Sequence, residues 1–431
     1  MDKQNQNKNE AKLTIRELMA MKKVLLIAYH FPPLGGGGVF RTVKFAKYLP
    51  EFGYQPYVLT VKNSMYDTQD LTLQGELPSE VEVHRTFSFE HRILRAPRRL
   101  LGINLKWFYI PDENIGWLPF GIFTGANLIK KENIDVIYTT SPKWTSLLIG
   151  FFLKKYTKKP LVIDFRDPWT DNFSIIYPTK YHKRFERKLE TITTNQADYI
   201  TVAFDSIKNA LIKKHPFLES RIATITNGFD PDDFKNLNTH SKTGKFTIVH
   251  VGSIYGPLTA KPFLIALKEL VEEKSEYKEK LEAIFVGNYG RETPILVTEY
   301  GLEENVRFVE YVPHKKSLEF MLNSQALLLL ITIEGSKGDG IIPGKLFEYL
   351  ASRKPILVIA SENNSAAKII KTANCGTVVS PRSVRGIKKA ISDFYEQWTE
   401  GKIFATEMEN IAAYDRKILT QKLAEILDKV T

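Results

Sequence analysis

Residues 23–49, KVLLIAYHFPPLGGGGVFRTVKFAKYL, decide the fold. An apolar run, KVLLIAY, leads into four glycines and then into VFRTVKFAKYL, whose apolar residues recur at helical spacing. Glycine weakens both strands and helices, so four together at a strand-to-helix junction allow something that a chain with side chains could not do. The usual occupant of such a junction is an anionic ligand, lying against bare backbone N–H groups and the helix N-terminus; a merely flexible turn is the alternative.

The alternation continues outward from this stretch. Short apolar runs separated by helical patterns follow up to about residue 226: PYVLTV, VEVH, DVIYTT, PLVIDF, DYITVA and RIATIT. Parallel strands need crossovers of a dozen residues or more, and the intervening segments supply them, which predicts an α/β sheet with helices on both faces. The stretch NGFDPDDFKNLNTHSKTGK, 227–245, is rich in turn formers and marks a domain boundary. A second alternating series comes after it: FTIVHVG, LEAIFVG, VRFVEYV, ALLLLITI, PILVIA and GTVVS. The expected organisation is a frayed extension over 1–21, an α/β domain over 22–235, a linker over 236–245, a second α/β domain over 246–405 and a C-terminal helix over 406–431. Ile418, Leu419, Leu423, Ile426 and Leu427 in that last segment form an apolar stripe that must be buried against one of the two domains.

Composition bounds the function. With 431 residues, 43% of them apolar, the chain exceeds a single core. One cysteine, Cys375, excludes an internal disulfide and a cysteine-based zinc site, and favours a reducing compartment. The opening twenty residues are polar and lysine-rich, unlike a secretory signal, and the longest apolar run, LLIGFFL at 147–153, is far too short to span a bilayer. The net charge of +11 calls for a partner. Much of it gathers in RILRAPRRLLGINLKWFY, 92–109, where basic residues interleave with aromatic and aliphatic ones. That mixture suits an anionic lipid surface, with a plain solvated face as the alternative. No helix-turn-helix, zinc-finger or RNA-recognition signature accompanies the charge, so nucleic acid is not an expected partner.

The familiar phosphate motifs fail. In a dinucleotide fingerprint starting at Gly35 the third glycine falls at Phe40, and the acid expected after the second strand is replaced by Lys62. A P-loop fails as well, because Leu346 follows Gly344 and Lys345. Yet GSKGDGIIPGKLFEYLASRKPILVIA, 335–360, repeats the opening theme: a strand enters a glycine-rich loop, and a helix begins near Pro343. Lys345 and Glu348, three apart, share a face of that helix. An ammonium suits a diphosphate and a carboxylate suits hydroxyl donors, so together they describe a nucleotide with a ribose; an intrahelical ion pair is the alternative. Asp230-Pro231-Asp232 has the look of a metal-binding acid pair, but the preceding Asn227-Gly228 favours a turn in which Asp232 caps a helix.

In the order and spacing of HFPPLGGGGVFR (30–41), DVIYTTSP with PLVIDFRDPWTDN (135–172), ITNGFDPDDF (225–234), VGSIYGPLTAKP (251–262), YVPHKKSLEFM (311–321) and IIPGKLFEYLASRKPIL (341–357), the chain resembles the retaining glycosyltransferases of family 4. The resemblance runs from about residue 22 to 430. It implies the α/β GT-B fold: two doubly wound Rossmann-like domains, the first for acceptor and the second for donor, facing a central cleft, with a C-terminal helix packing back across. It further implies a hexosyltransferase that moves sugar from a nucleotide-diphosphate sugar to a lipid-linked or cell-surface glycan, with retention and with no metal or other cofactor. The expected setting is cell-envelope polysaccharide synthesis, in the cytoplasm or peripherally on the inner membrane face.

Position by position, the resemblance places Gly37 and Gly38 in the cleft near the donor diphosphate or acceptor, and Lys261 on the donor phosphates with Lys345 assisting. Glu348 matches the second glutamate of the family's pair and would hold the ribose hydroxyls; amides around Gly340, Ile341 and Ile342, with Pro343 and Gly344, would face the sugar and pyrophosphate. Gly340 stands where the first glutamate would fall, beside Asp339; Ser253 replaces an arginine; Thr140 aligns with a histidine of some relatives. Asp164, Arg166 and Asp167 cluster at a strand's carboxyl end, where open α/β sheets bind ligands. Asp167 would be an acceptor base or anchor and Arg166 a ligand for an acceptor phosphate, unless the group is a structural ion pair. His30, His182 and His314 are mobile-proton candidates by type. A nucleotide-sugar epimerase and a non-catalytic nucleotide-sugar-binding protein are the alternative functions.

Overall fold

The computed structural model describes residues 20–62, 69–89, 109–172, 175, 177–239, 244–333, 335, 339–402 and 408–431. Strands β1 (Lys22–Ile27), β2 (Tyr54–Val61), β3 (Glu82–Thr86), β4 (Val136–Thr140), β5 (Leu161–Phe165), β6 (Tyr199–Val202) and β7 (Ile222–Thr224) form one sheet in the order β3-β2-β1-β4-β5-β6-β7. Strands β8 (Phe246–Val251), β9 (Leu281–Val286), β10 (Val306–Val309), β11 (Ala326–Ile331), β12 (Ile356–Ala360) and β13 (Gly376–Val379) form a second, in the order β10-β9-β8-β11-β12-β13. Every neighbouring pair is parallel. Each of these strands overlaps an apolar run anticipated from sequence, β1 and β2 beginning one and two residues earlier and β3 running two residues beyond VEVH.

The crossovers are helical. Around the first sheet lie α1 (Phe40–Tyr48), α2 (Leu118–Glu132), α3 (Trp144–Thr157), α4 (Lys180–Gln196) and α5 (Asp205–Lys214). Around the second lie α6 (Lys261–Glu273), α7 (Ser275–Lys280), α8 (Glu292–Glu299), α9 (His314–Asn323), α10 (Lys345–Ser352), α11 (Ser365–Ala373) and α12 (Val384–Thr399), and the chain closes with α13 (Arg416–Val430). Successive residues of a strand point to opposite faces, so each sheet feeds two cores. Leu25 and Ile27 of β1 pack in a layer with Leu147 and Ile149 of α3, while Val24 and Leu26 pack in the other layer with Val43 of α1 and Leu423 of α13. Being covered on both faces is why these strands read as unbroken apolar runs.

In both sheets the strand order reverses once, between β1 and β4 and between β8 and β11. At such a point the loops leave the carboxyl ends in opposite directions and open a crevice. The tetraglycine stretch follows β1, and residues 339–344 lie between β11 and α10, so both glycine-rich stretches come at the switch points of their sheets.

Helix α13 returns to the first sheet. Leu419, Leu423, Ile426 and Leu427 join its core, while Asp428 accepts from Lys22 and from Tyr54, each at 2.8 Å. Ile418 was expected in the same stripe but is 38% exposed, because one residue's rotation turns it off the face that Leu419 buries. The helix also starts later than the apolar pattern suggested: the Asp415 side chain accepts from Lys417 N–H at 2.7 Å and sets its N-terminus. The run LLIGFFL lies inside α3, and among the described residues no helix is long and apolar enough to cross a membrane. The basic-aromatic stretch 92–109 lies outside the described residues except for Tyr109, as do residues 1–19 of the N-terminal extension.

Candidate functional site

The first lip of the crevice is the loop after β1. Gly36 has φ of +90°, a conformation open to glycine at no steric cost, and it lets the chain turn sharply into α1. Arg166, just beyond β5, then pins the loop from the side: Nη1 donates to the Gly38 carbonyl at 2.5 Å and Nη2 to the Gly37 carbonyl at 3.2 Å. With those carbonyls engaged, the N–H groups of Gly37 and Gly38 make no hydrogen bond among the described residues. A Cβ added at Gly37 would meet nothing within 4 Å, so this backbone faces open space, whereas at Gly38 it would touch the His30 ring at 3.5 Å. Burial, with the charges of Lys143 and Arg166, pushes the His30 pKa down to about 3. The ring is therefore neutral at physiological pH, able to donate or accept but holding no second proton to give.

Asp164 behaves differently from its expected place in the cleft. It is wholly buried, accepts from Arg41 Nε at 2.9 Å and Nη2 at 2.8 Å, and takes the hydroxyls of Thr140 and Thr201 at 2.7 Å each. Four donors on one carboxylate leave it no capacity for a ligand, and despite burial Arg41 keeps its pKa below the ordinary value. Thr140 is consumed in the same network. Asp167 is the open carboxyl of this loop: exposed and unbonded among the described residues.

The second lip comes from β8 and α10. Gly252, with φ of +113°, and exposed Ser253 end β8. Lys345 opens α10 and reaches back beneath them: its ammonium donates to His250 Nε2 at 3.0 Å, and a Cβ on Gly252 would lie 3.3 Å from Nζ. His250 is buried and its Nδ1 bonds the Leu328 carbonyl at 3.0 Å, so Nδ1 carries the proton and Nε2 is left to accept. Desolvation and Lys345 keep that ring neutral, while burial lowers the Lys345 pKa to about 7. One turn along, Glu348 Oε1 meets His314 Nε2 at 2.8 Å. Burial opposes the charged ring, but the Glu348 contact prevails and raises the His314 pKa. Lys345 and Glu348 thus each pair with a histidine instead of with each other. Pro343 lies two residues ahead of α10, whose cap is Gly344, and Ile341 and Ile342 pack their side chains on the core of the second sheet. Lys261 is the exposed first residue of α6, its N–H bonded to Thr259 Oγ1 at 3.1 Å.

The two lips meet. The Phe40 and His314 rings lie 4.3 Å apart, and His314 N–H donates to Asp70 at 3.2 Å. A Cβ at Gly340 would sit 3.1 Å from Ser206 Oγ at the start of α5. Below them, a charged hinge joins α1 to residues 230–233. Lys44 is fully buried among Glu76, Asp230 and Asp233, and Lys47 and Tyr48 also bond Asp230. Asp230 itself caps the turn, accepting from Asp232 N–H at 3.0 Å, a role expected of Asp232. The carboxylates of Glu76, Asp230 and Asp233 lie within 4.8 Å of one another, but the Lys44 ammonium already stands among them.

The fold thus sets His30, Gly37, Gly38, Arg166 and Asp167 at the carboxyl ends of strands of the first sheet, and Ser253, Gly340, Lys345 and Glu348, with His314, beyond the carboxyl ends of strands of the second. It leaves Asp164 and Thr140 in the core beneath and His182 in a local bond to Thr179 at the start of α4. Arg41 and His250 are residues beneath the site that sequence reasoning missed. Each sits in an apolar or amphipathic run, where a single polar letter at a core-facing position was the one available signal.

Residues 35–233 match the sequence model of Glycosyltransferase Family 4, and residues 233–415 match that of Glycosyl transferases group 1. No curated protein matches the chain in sequence. Among solved structures it is similar to sucrose-phosphate synthase from Thermosynechococcus elongatus, with a TM-score of 0.66 at 14% identity over 95% of this chain and 98% of that one. It is also similar to Anabaena Alr3699/HepE in complex with UDP and glucose (0.63, 14%, 95% and 100%) and to WaaG, a glycosyltransferase involved in lipopolysaccharide biosynthesis (0.60, 18%, 94% and 99%). At these identities the structures speak for the fold alone, which is GT-B. The two sequence matches together run from residue 35 to 415, and with that fold they place the chain among the group 1 glycosyltransferases.

Proposed function

We propose that the chain transfers a hexose from a nucleotide-diphosphate sugar to a lipid-linked or cell-surface glycan, with retention of configuration and without a metal. One observation carries the reading: the two switch points present complementary chemistry across one crevice. On one lip are unengaged glycine amides; on the other, the start of α10 sets an ammonium, Lys345, and a carboxylate, Glu348, a turn apart. Amides and ammonium suit a diphosphate, and the carboxylate suits vicinal ribose hydroxyls. The presence of UDP and glucose in the HepE complex supports the donor class, and the involvement of WaaG in lipopolysaccharide biosynthesis supports a cell-surface acceptor.

As the bond to the anomeric carbon breaks, negative charge grows on the departing diphosphate. Lys345 and the helix terminus are fixed to meet it, with the exposed Lys261 free to assist, and removing one fixed donor from a preorganised site costs about 2.7–4 kcal/mol of barrier. Attack from the face of departure needs no protein nucleophile, which leaves Asp167 to orient or deprotonate the acceptor hydroxyl. Arg166 acts by holding the glycine loop. The basic-aromatic stretch 92–109 would bring the enzyme to an anionic membrane carrying the acceptor.

The test is a thermal-shift panel of nucleoside diphosphates and their sugars, followed by product analysis. A matching ligand at 100 times its Kd adds about 2.7 kcal/mol of native stability. Gly37→Val, whose Cβ would meet nothing within 4 Å in the folded protein, should erase the shift by filling the space over the loop. Transfer releases nucleoside diphosphate in step with acceptor glycosylation; recovery of an epimerised nucleotide sugar with no release would favour the epimerase instead. Absence of a shift with every nucleotide would end the reading.

A further inference from the structure

Arg416 opens α13 at the hinge, where its N–H donates to the Phe229 carbonyl at 2.8 Å and α13 begins its return to the first sheet. Its side chain is nearly sealed, with 5% of the residue exposed, yet its guanidinium makes no hydrogen bond among the described residues, and Nη1 is shut from water without a partner there. The charges around it offer no relief. Arg41 and Arg166 repel it, while Glu348 and Asp233 attract it without touching it. Asp233 is bonded to Lys44, Glu348 Oε1 to His314, Asp164 to Arg41, and the Gly37 and Gly38 carbonyls to Arg166. Burial and the two arginines push the Arg416 pKa down to about 9, a value that still leaves it charged at neutral pH. A buried cation among cations, with its donors unspent, is the reverse of what folding alone selects, because a structural arginine is kept with its acceptor.

We propose that Arg416 is a phosphate ligand of the crevice, donating its guanidinium fork to the diphosphate of the donor. This rests on the nucleotide-sugar reading above. Arg166 acts on Arg416 electrostatically and Glu348 acts on both Arg416 and Lys345, and among the described residues none of these three cations has a carboxylate in hydrogen-bond contact. A dianionic diphosphate answers that excess, and a planar fork matches its oxygens bidentately. Arg416 senses Glu348, which shares α10 with Lys345, so the anion it serves belongs with the nucleotide held by that helix. The Phe40–His314 ring contact joins the two lips beside the crevice. Because α13 packs on the first sheet while Lys345 belongs to the second, a diphosphate gripped by both ties the two halves together.

The test compares the full-length wild type with Arg416→Met and Arg416→Lys by thermal shift and calorimetry, using inorganic pyrophosphate, the nucleoside diphosphate that the wild type binds, and the parent nucleoside. Arg416→Met removes an unpartnered buried charge at similar volume, so its melting temperature without ligand should equal or exceed the wild type's. It should also lose the pyrophosphate shift and bind the nucleoside diphosphate at least thirtyfold more weakly, with nucleoside affinity unchanged. Arg416→Lys keeps the charge without the fork, guards against misfolding of the methionine variant, and should lose about tenfold. Unchanged diphosphate affinity in both variants would overturn the assignment, as would an equal loss for the nucleoside, or a pyrophosphate shift that adds to that of saturating nucleoside diphosphate. A wild type that binds no nucleotide would instead sink the donor reading on which the assignment rests.

Discussion

Lys345 sits at the first position of α10 with its ammonium against the unprotonated Nε2 of His250, and burial draws its pKa down to about 7. A lysine lowered from its ordinary value costs the native state stability while it is charged, in full below about pH 7 and progressively less as the pH rises toward the unfolded value near 10.5. Binding of a diphosphate runs the other way, since the ligand needs the ammonium. With a nucleotide sugar, whose diphosphate is fully ionised over the range, the association constant should be level below about pH 7 and fall by up to tenfold per unit above it. Calorimetry from pH 6 to 9 reads this directly. Lys345→Arg, which does not titrate there, should flatten the profile, and an unaltered slope in that variant would assign the pH dependence to another group.

Helix α1 shows why pattern reading stops short of the site. Its spacing announces a helix after the glycines, and one forms. But Arg41 and Lys44, one turn apart, are both buried, on a face that periodicity alone would have turned to solvent. Their acceptors, Asp164 and Asp230 with Asp233, lie 123 to 189 positions away in the chain. The pair Arg41–Asp164 holds α1, and with it the glycine loop, against β5. Removing one member of a buried pair leaves an uncompensated charge, so Asp164→Ala should cost about 3–5 kcal/mol in urea unfolding. A loss below about 1 kcal/mol would mean that Arg41 finds another acceptor. The glycine loop is the contrasting element: its exposure and its unengaged amides follow from composition, and the four glycines alone marked it.

Across the whole molecule, the two sheets are held by contacts distant in sequence: the hinge around Lys44, the Phe40–His314 approach and the return of α13. Leu419, Leu423, Ile426 and Leu427 are each less than 5% exposed in the first core. Burying such a side chain contributes about 1.5–3 kcal/mol, so four contribute on the order of 6–12 kcal/mol. That is comparable with the roughly 5–15 kcal/mol of a typical native state. Truncation after Asp415 should therefore leave a chain that aggregates or loses cooperative unfolding in calorimetry. A soluble truncate that still melts cooperatively near the full-length temperature would show α13 to be dispensable for folding.

What the chain's letters determined by themselves is whatever depends on local chemistry and period: the two strand series, because a strand covered on both faces must be apolar throughout, and two glycine-rich turns, because runs of glycine continue neither a strand nor a helix and supply the positive φ taken up at Gly36 and Gly335. The spacing of Lys345 and Glu348 belongs here too, since three residues on a helix always share a face. Only the tertiary structure decided which polar groups spend their hydrogen bonds on the protein and which keep them for a ligand. Asp164 was legible as an acid at a strand's end, but not as one already saturated by Arg41; Arg416 was one basic letter at a helix start, indistinguishable from a solvated one until its surroundings were known. The reason is physical: hydrogen-bond satisfaction and desolvation depend on neighbours brought together by folding, and no period in the sequence encodes them.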